Sequence, residues 1–217
     1  MQRKKEKTVS IIFVFEIVGI ISFAFSGALV AIDRKLDLFG IIVLSVTTAV
    51  GGGMFRDILI GNIPPVMFVY PVYTIVSVIT ALAVMLTYRY LDRIMGSHIY
   101  SYLYLILDAI GLGIFTIVGV NVCIMRGFGD NAFLSIFVGV ISGVGGGLVR
   151  DVLVNRTPLV LKKEIYAVAS LIGAGLYYFL QEIVHPDASI YISVLVIFFI
   201  RMVAVKNNIN LPYVGKK

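Results

Sequence analysis

Two arginine–aspartate pairs, Arg56-Asp57 and Arg150-Asp151, each follow three consecutive glycines inside otherwise apolar sequence. The blocks running from Gly51, Gly52 and Gly53 to Leu59 and from Gly145, Gly146 and Gly147 to Leu153 stand 94 residues apart, and Pro64 and Pro158 keep that separation. Two acids, Glu16 and Asp108, stand 92 residues apart, with Gly19, Phe23 and Gly27 matching Gly111, Phe115 and Gly119. A charge at bilayer depth costs at least a few kcal/mol unless it pairs or reaches water. The chemistry of these residues is therefore that of ions: the acids attract cations or exchange protons, and the arginines oppose cations unless paired. Neighbours on a helix point about 100° apart and do not face each other. The duplication therefore predicts a crossed arrangement, Arg56 with Asp151 and Arg150 with Asp57. The competing reading places all four at headgroup depth, anchoring helix ends.

Three glycines in a membrane span bend or break a helix, and the freed backbone groups then need protein or a polar cavity. The blocks are thus expected to wall a passage. Gly139, Gly143 and Gly147 also recur at intervals of four, a spacing that lets helices touch. Ser45, Thr47, Thr48, Asn121, Ser135 and Ser142 supply groups able to hydrate an ion or to pack helices. His98 and His185 lie beside loops. Tyr70, Tyr73, Tyr88, Tyr90, Tyr100, Tyr102, Tyr104, Tyr177 and Tyr178 read as anchors at the membrane interface. Cys123 is the single cysteine and reads as packing. No CxxC pair, HExxH helix or GxSxG elbow is present, and no catalytic function is expected.

The elements that position these residues follow from composition. Of 217 residues, 59% are apolar and 14% charged, against about 45–50% and about 25% in soluble domains. The mean hydropathy is +1.01, so the solvent around the chain must itself be apolar. The net charge of +6 suits lipid headgroups, and no helix carries the basic register of a nucleic-acid binder. Seven hydrophobic spans are read at residues 9–32, 38–56, 66–88, 99–123, 132–149, 165–181 and 190–205, with Arg201 snorkelling from the last. The basic start before the first span resembles a signal peptide, yet Glu16 and the duplication argue that this span is retained.

The fold class is an all-α polytopic membrane protein, with two inverted three-helix repeats and a seventh helix. The repeats span residues 9–98 and 99–185, and the seventh helix residues 186–207. An odd number of helices per unit makes the second repeat enter from the opposite side. Outside the spans, five Lys and Arg fall on the N-terminal side and eleven on the other, Arg201 included. This favours the N-terminus outside and the C-terminus in the cytoplasm.

The segments GGGMFRD at 51–57 and GVGGGLVRD at 143–151, the downstream prolines and the three-plus-three-plus-one order resemble the trimeric intracellular cation channel family, in its prokaryotic branch. The related bacterial domain also carries a glycine-transporter label. The resemblance implies a homotrimer in the cell inner membrane, a pore within each protomer and monovalent cations as permeant ions, potassium or sodium. It implies second and fifth helices bent at their glycines, with the Arg-Asp pairs as nearby polar structure. Bound lipid is compatible with it, although no Lys-Glu-Val motif of the animal members appears. A small-solute carrier and a membrane scaffold stand as alternatives, and no cofactor, metal or nucleic acid is expected.

Overall fold

The computed structural model of the protein describes the backbone of residues 2–95, 97–162, 165–207 and 209, and the side chains of 11–88, 102–161, 165–207 and 209. Seven long helices carry the chain: α1 Gln2–Asp33, α2 Leu38–Leu59, α3 Val72–Met95, α4 Ser97–Cys123, α5 Ala132–Leu153, α6 Ile165–Leu180 and α7 Pro186–Lys206. Single helical turns, Val66–Val69 and Leu159–Lys162, precede α3 and α6. The third expected span is therefore split at Pro71, where proline ends the preceding turn. Several expectations lie outside the described side chains: Arg3, Lys4, Lys5, Lys7, Arg89, Arg93, Lys162, Lys163, Lys216 and Lys217 of the charge tally, His98, Tyr90 and Tyr100.

The helix ends repeat as faithfully as the helices. Asp37 caps α2 by accepting from Gly40 N at 2.8 Å, and Asn131 caps α5 by accepting from Leu134 N at 3.0 Å. Both helices close in the same way. Gly61 (φ 69°) and Asn155 (φ 51°) turn left-handed, while Asn62 N donates to Asp57 O and Arg156 N to Asp151 O, each at 2.8 Å. This is the Schellman closure, and it satisfies carbonyls a helix end leaves open. The two-residue change of offset falls between α4 and α5, where a π turn over Ile124–Phe128 carries Gly127 at φ 92°.

Among the described residues five helices are long and apolar enough to cross a membrane, and α6 is shorter. At 16 residues α6 spans about 24 Å, short of the roughly 30 Å hydrocarbon layer. The third helix of each repeat is preceded by a single helical turn, and in the second repeat that helix is the short one. Phe39, Leu86 and Phe133, among many others, point large apolar side chains outward, as a lipid-facing surface requires.

The repeats meet through matched residues. Phe23 and Phe115 stack with centroids 5.4 Å apart and planes 8° apart. A Cβ on Gly52 would overlap the Ser142 carbonyl, and a Cβ on Gly146 would overlap the Thr48 carbonyl, the repeat-equivalent contact. Such reciprocity is what a pseudo-two-fold axis between oppositely inserted units produces. Both α2 and α5 run through their glycines as continuous α-helix, which corrects the expected break. The absent side chains let two backbones cross in contact, and no carbonyl has to be released. Gly52 and Gly146 make the closest approach, Gly145 stands next to it with a Cβ there 3.0 Å from the Gly52 Cα, and a Cβ on Gly51 or Gly53 would meet nothing closer than 3.6 Å.

Candidate functional site

Four residues beyond this crossing, α2 delivers Arg56 and Asp57, and α5 delivers Arg150 and Asp151. All four are buried inside the protein, at 3%, 1%, 0% and 0% exposure. In each pair the arginine donates to its own neighbour: Arg56 Nε to Asp57 Oδ1 and Arg150 Nε to Asp151 Oδ1, both at 2.9 Å. The second carboxylate oxygen accepts from the turn after the helix, Asp57 Oδ2 from Val66 N at 2.8 Å and Asp151 Oδ2 from Leu159 N at 3.0 Å. Each aspartate thus ties the end of its helix to the turn that leads into the short third helix.

The crossed pairing is not what forms. Arg56 Nη1 lies 3.9 Å from Glu16 Oε1, and Arg150 Nη1 donates to Asp108 Oδ1 at 2.5 Å, each within its own repeat. The reason is geometric. From the crossing at Gly52 and Gly146 the antiparallel helices carry their arginines about 6 Å in opposite directions, so each meets the first helix of its own unit.

The two clusters differ in closure. In the second repeat Arg150 also donates to Ser26 Oγ at 2.6 Å, and its guanidinium lies 5.0 Å from the centroid of the Tyr104 ring. Asp108, Ser26 and Arg150 are fully buried. In the first repeat Tyr73 donates to Glu16 Oε2 at 2.6 Å, and these residues border a cavity of about 640 Å³. Glu16, Arg56, Asn62, Tyr70 and Arg126 supply its polar wall, and Ile12, Phe13, Val66, Val122 and Met125 much of its apolar wall. A deeper recess beside Ala49, Val50 and Gly53 reaches Phe115 of the central stack. Inside the wall, Arg56 Nη1 and Asn62 Nδ2 have no hydrogen-bond partner among the described residues.

The other predicted polar residues divide. Ser45 and Thr48 return their hydroxyls to their own helix, at 2.7 Å to Ile41 O and 2.6 Å to Leu44 O. Ser142, Thr48's counterpart, is buried beside the crossing with its Oγ unpaired among the described residues. Asn121 donates to the buried Tyr177 hydroxyl at 2.7 Å. Tyr73, Tyr177 and Tyr178 are core residues, whereas Tyr70 and Tyr102 are exposed as interface anchors would be. Arg201 does not snorkel: it is 1% exposed, with its guanidinium 4.7 Å from the Tyr166 ring centroid. A seventh helix packed against α4 and α6 turns that side chain inward. His185 caps α7 by accepting from Asp187 N. Ser26 and Tyr166 belong to the clusters and carried no motif. Tyr166 follows Tyr73 by 93 residues, a signal hidden by one residue lost after the glycine blocks, while Ser26 has Val118 as its counterpart.

The duplicated cluster is matched twice by the family model described as glycine transporter, over residues 13–89 and 105–182. The inner membrane protein YadS of Escherichia coli, of the UPF0126 group, is 34% identical over 207 residues, 93% of this chain and 95% of that protein. A crystal structure of a prokaryotic TRIC channel in 0.5 M KCl superposes with a TM-score of 0.85 at 35% identity, covering 94% of this chain and all of the other. The chain belongs to the TRIC/UPF0126 family, in its prokaryotic branch. A TRIC orthologue from Rhodobacter sphaeroides gives a TM-score of 0.83 at 26% identity, covering 92% of this chain and all of that one. These matches carry the architecture of the TRIC fold, two inverted three-helix repeats and a seventh helix, over nearly the whole chain.

Proposed function

We propose that this chain is a monovalent-cation channel, permeable to potassium or sodium, with a passage inside each protomer between the repeats at 9–98 and 99–185. The supporting observation is the cavity bordered by Glu16 and Arg56 in the first repeat, with a separate recess beside it that reaches Phe115 of the central stack. Glu16 raises the local cation concentration, and Arg56 is kept from repelling cations by Asp57 and Glu16. Backbone contact at Gly52 and Gly146 makes the observed arrangement a narrow one, so conduction requires α2 and α5 to separate slightly at that point. The solved relatives are described as TRIC cation channels, one of them as trimeric and intracellular. We extend the homotrimer to this chain, in the prokaryotic inner membrane with the N-terminus outside and lipid between protomers. The seventh helix, residues 186–207, is an addition to the paired repeats.

One observation favours a second reading. The matching family model is described as a glycine transporter, and a cavity open on one side of inverted repeats also suits a carrier. Single-channel recording of the protein in liposomes under asymmetric KCl, with glycine uptake measured on the same preparation, separates the two. The channel reading expects unitary currents that reverse near the potassium potential and a smaller unitary conductance in Glu16→Gln. Saturable glycine uptake without unitary current would transfer the function to the carrier.

A further inference from the structure

The duplicated clusters stand in two states, open in the first repeat and shut in the second. Glu16, Arg56 and Tyr73 border the 640 Å³ cavity, whereas their counterparts Asp108, Arg150 and Tyr166 are at most 1% exposed. Besides Tyr104, whose ring lies against Arg150 where the first repeat has Ile12, two sequence differences accompany this. Asp108 is one methylene shorter than Glu16, and the Tyr166 hydroxyl and Asp108 Oδ2 are left without a hydrogen-bond partner among the described residues. The other difference is α7, which has no counterpart in the first repeat. It lies close on α4 and α6, where a Cβ on Gly113 would stand 3.2 Å from Val194 O and one on Gly173 would overlap Ile197.

From α7, Arg201 covers the face of Tyr166, its guanidinium carbon 4.7 Å from the ring centroid. Its Nε and Nη2 lack hydrogen-bond partners, and no carboxylate lies within 4.0 Å of it among the described residues. A cation–π contact returns only part of what burying an unpaired guanidinium costs, so this charge works against the closed arrangement. Arg150, by contrast, is fixed by Asp108, Asp151 and Ser26. The ring is buried in the core but not fixed by a hydrogen bond: its hydroxyl has no partner among the described residues and sits against Gly147, where a Cβ would stand 3.0 Å from that oxygen.

We infer that Arg201 gates the second cleft: stacked on Tyr166 it holds that ring in the closed position, and it swings into water when the cleft opens. The inference rests on the channel reading and adds to it the place where the passage closes. The charge drives opening and the stack opposes it, so charge and shape have opposite effects. Arg201→Met keeps length and an apolar contact with the ring but removes the charge. Arg201→Lys keeps the charge but loses the planar stack.

The test uses the full chain with Cys123→Ala and a reporter, Val144→Cys. Val144 is the counterpart of Val50, which lines the recess of the first repeat. Reaction of this cysteine with a small water-soluble thiol reagent reads opening without any current, and open probability in liposomes under asymmetric KCl reads it with current. Arg201→Met is expected to lower both by about tenfold, within the usual coupling between a switch residue and a two-state element, and Arg201→Lys to raise both. Unchanged labelling and open probability in Arg201→Met would overturn the gate and leave Arg201 as packing. If that variant fails to fold, Tyr166→Leu decides, raising labelling if the stack is the latch and overturning the gate if it does not. Labelling that follows this pattern in a protein without unitary currents would keep the gate and discard the channel; currents without the labelling change would do the reverse.

Discussion

Arg150 and Arg56 carry the same sequence signature but different surroundings, and losing their acids has different consequences. Asp108 and Arg150 are both fully buried, so Asp108→Asn leaves a guanidinium with Asp151 as its remaining counter-charge in a dry site. Breaking one member out of a buried pair costs about 3–5 kcal/mol, and thermal unfolding of the purified protein should show a marked drop in Tm. Glu16 is 14% exposed in its side chain and its oxygen stands 3.9 Å from Arg56 Nη1, so less is lost with its charge. Glu16→Gln should therefore cost less than half as much, and equal losses would mean that the first cluster is as dry as the second. The acids and arginines were legible because charge in apolar sequence is rare and because each recurs at a fixed offset. Their partners were not. A pairing between Arg150 and Ser26 spans 124 residues and depends on how helices rotate, about which hydropathy is silent. Arg201 was misread for the same reason: near a span end, sequence gives depth and leaves the facing direction open.

The glycine blocks show what an element adds to its residues. Sequence located both blocks and their equivalence, and predicted that they pack or break; the continuous helices decide for packing. Within each triplet the burden is unequal. A Cβ on Gly52 would overlap the Ser142 carbonyl, whereas on Gly53 its nearest neighbour would be Arg56 Nη2 at 3.7 Å. Gly52→Ala should force α2 and α5 apart, at a cost of about 1–3 kcal/mol typical of overpacking. Gly53→Ala should be neutral or slightly stabilising, since alanine is the better helix former by about 1 kcal/mol. Gly146→Ala should behave as Gly52→Ala does. Equal tolerance of alanine at all three positions of a triplet, read as Tm, would show that the helices do not touch where they cross. The third helices and the turns before them were the least legible elements. The turn Val66–Val69 and the helix after Pro71 form one hydrophobic run in sequence; the break between them falls at Tyr70 and Pro71, and the bond from Val66 N to Asp57 holds the turn to the end of α2.

For the molecule as a whole, the duplication settles the architecture and the seventh helix settles its asymmetry. α7 packs against α4 and α6 of the second repeat, and among the described residues the first cluster borders an entrance whereas Asp108, Arg150 and Tyr166 of the second are buried. The side on which that entrance lies follows from the path. The start of α1 and the end of α2 lie on the same membrane face, so an outside N-terminus places the cavity, Val66 and Arg126 outside as well. In a Cys123→Ala background, Val66→Cys should react with a membrane-impermeant thiol reagent applied to intact cells, and the product should reduce conductance by crowding the cavity. Leu159→Cys, its counterpart at 6% exposure, should stay protected from both sides until the second cleft opens. Reaction of Val66→Cys only after the cells are permeabilised would invert the topology, because the positive-inside tally would then have been outweighed by the basic residues at the N-terminus. Reaction at both positions in intact cells would instead mean that neither cluster is sealed and that the seventh helix does not close the second half.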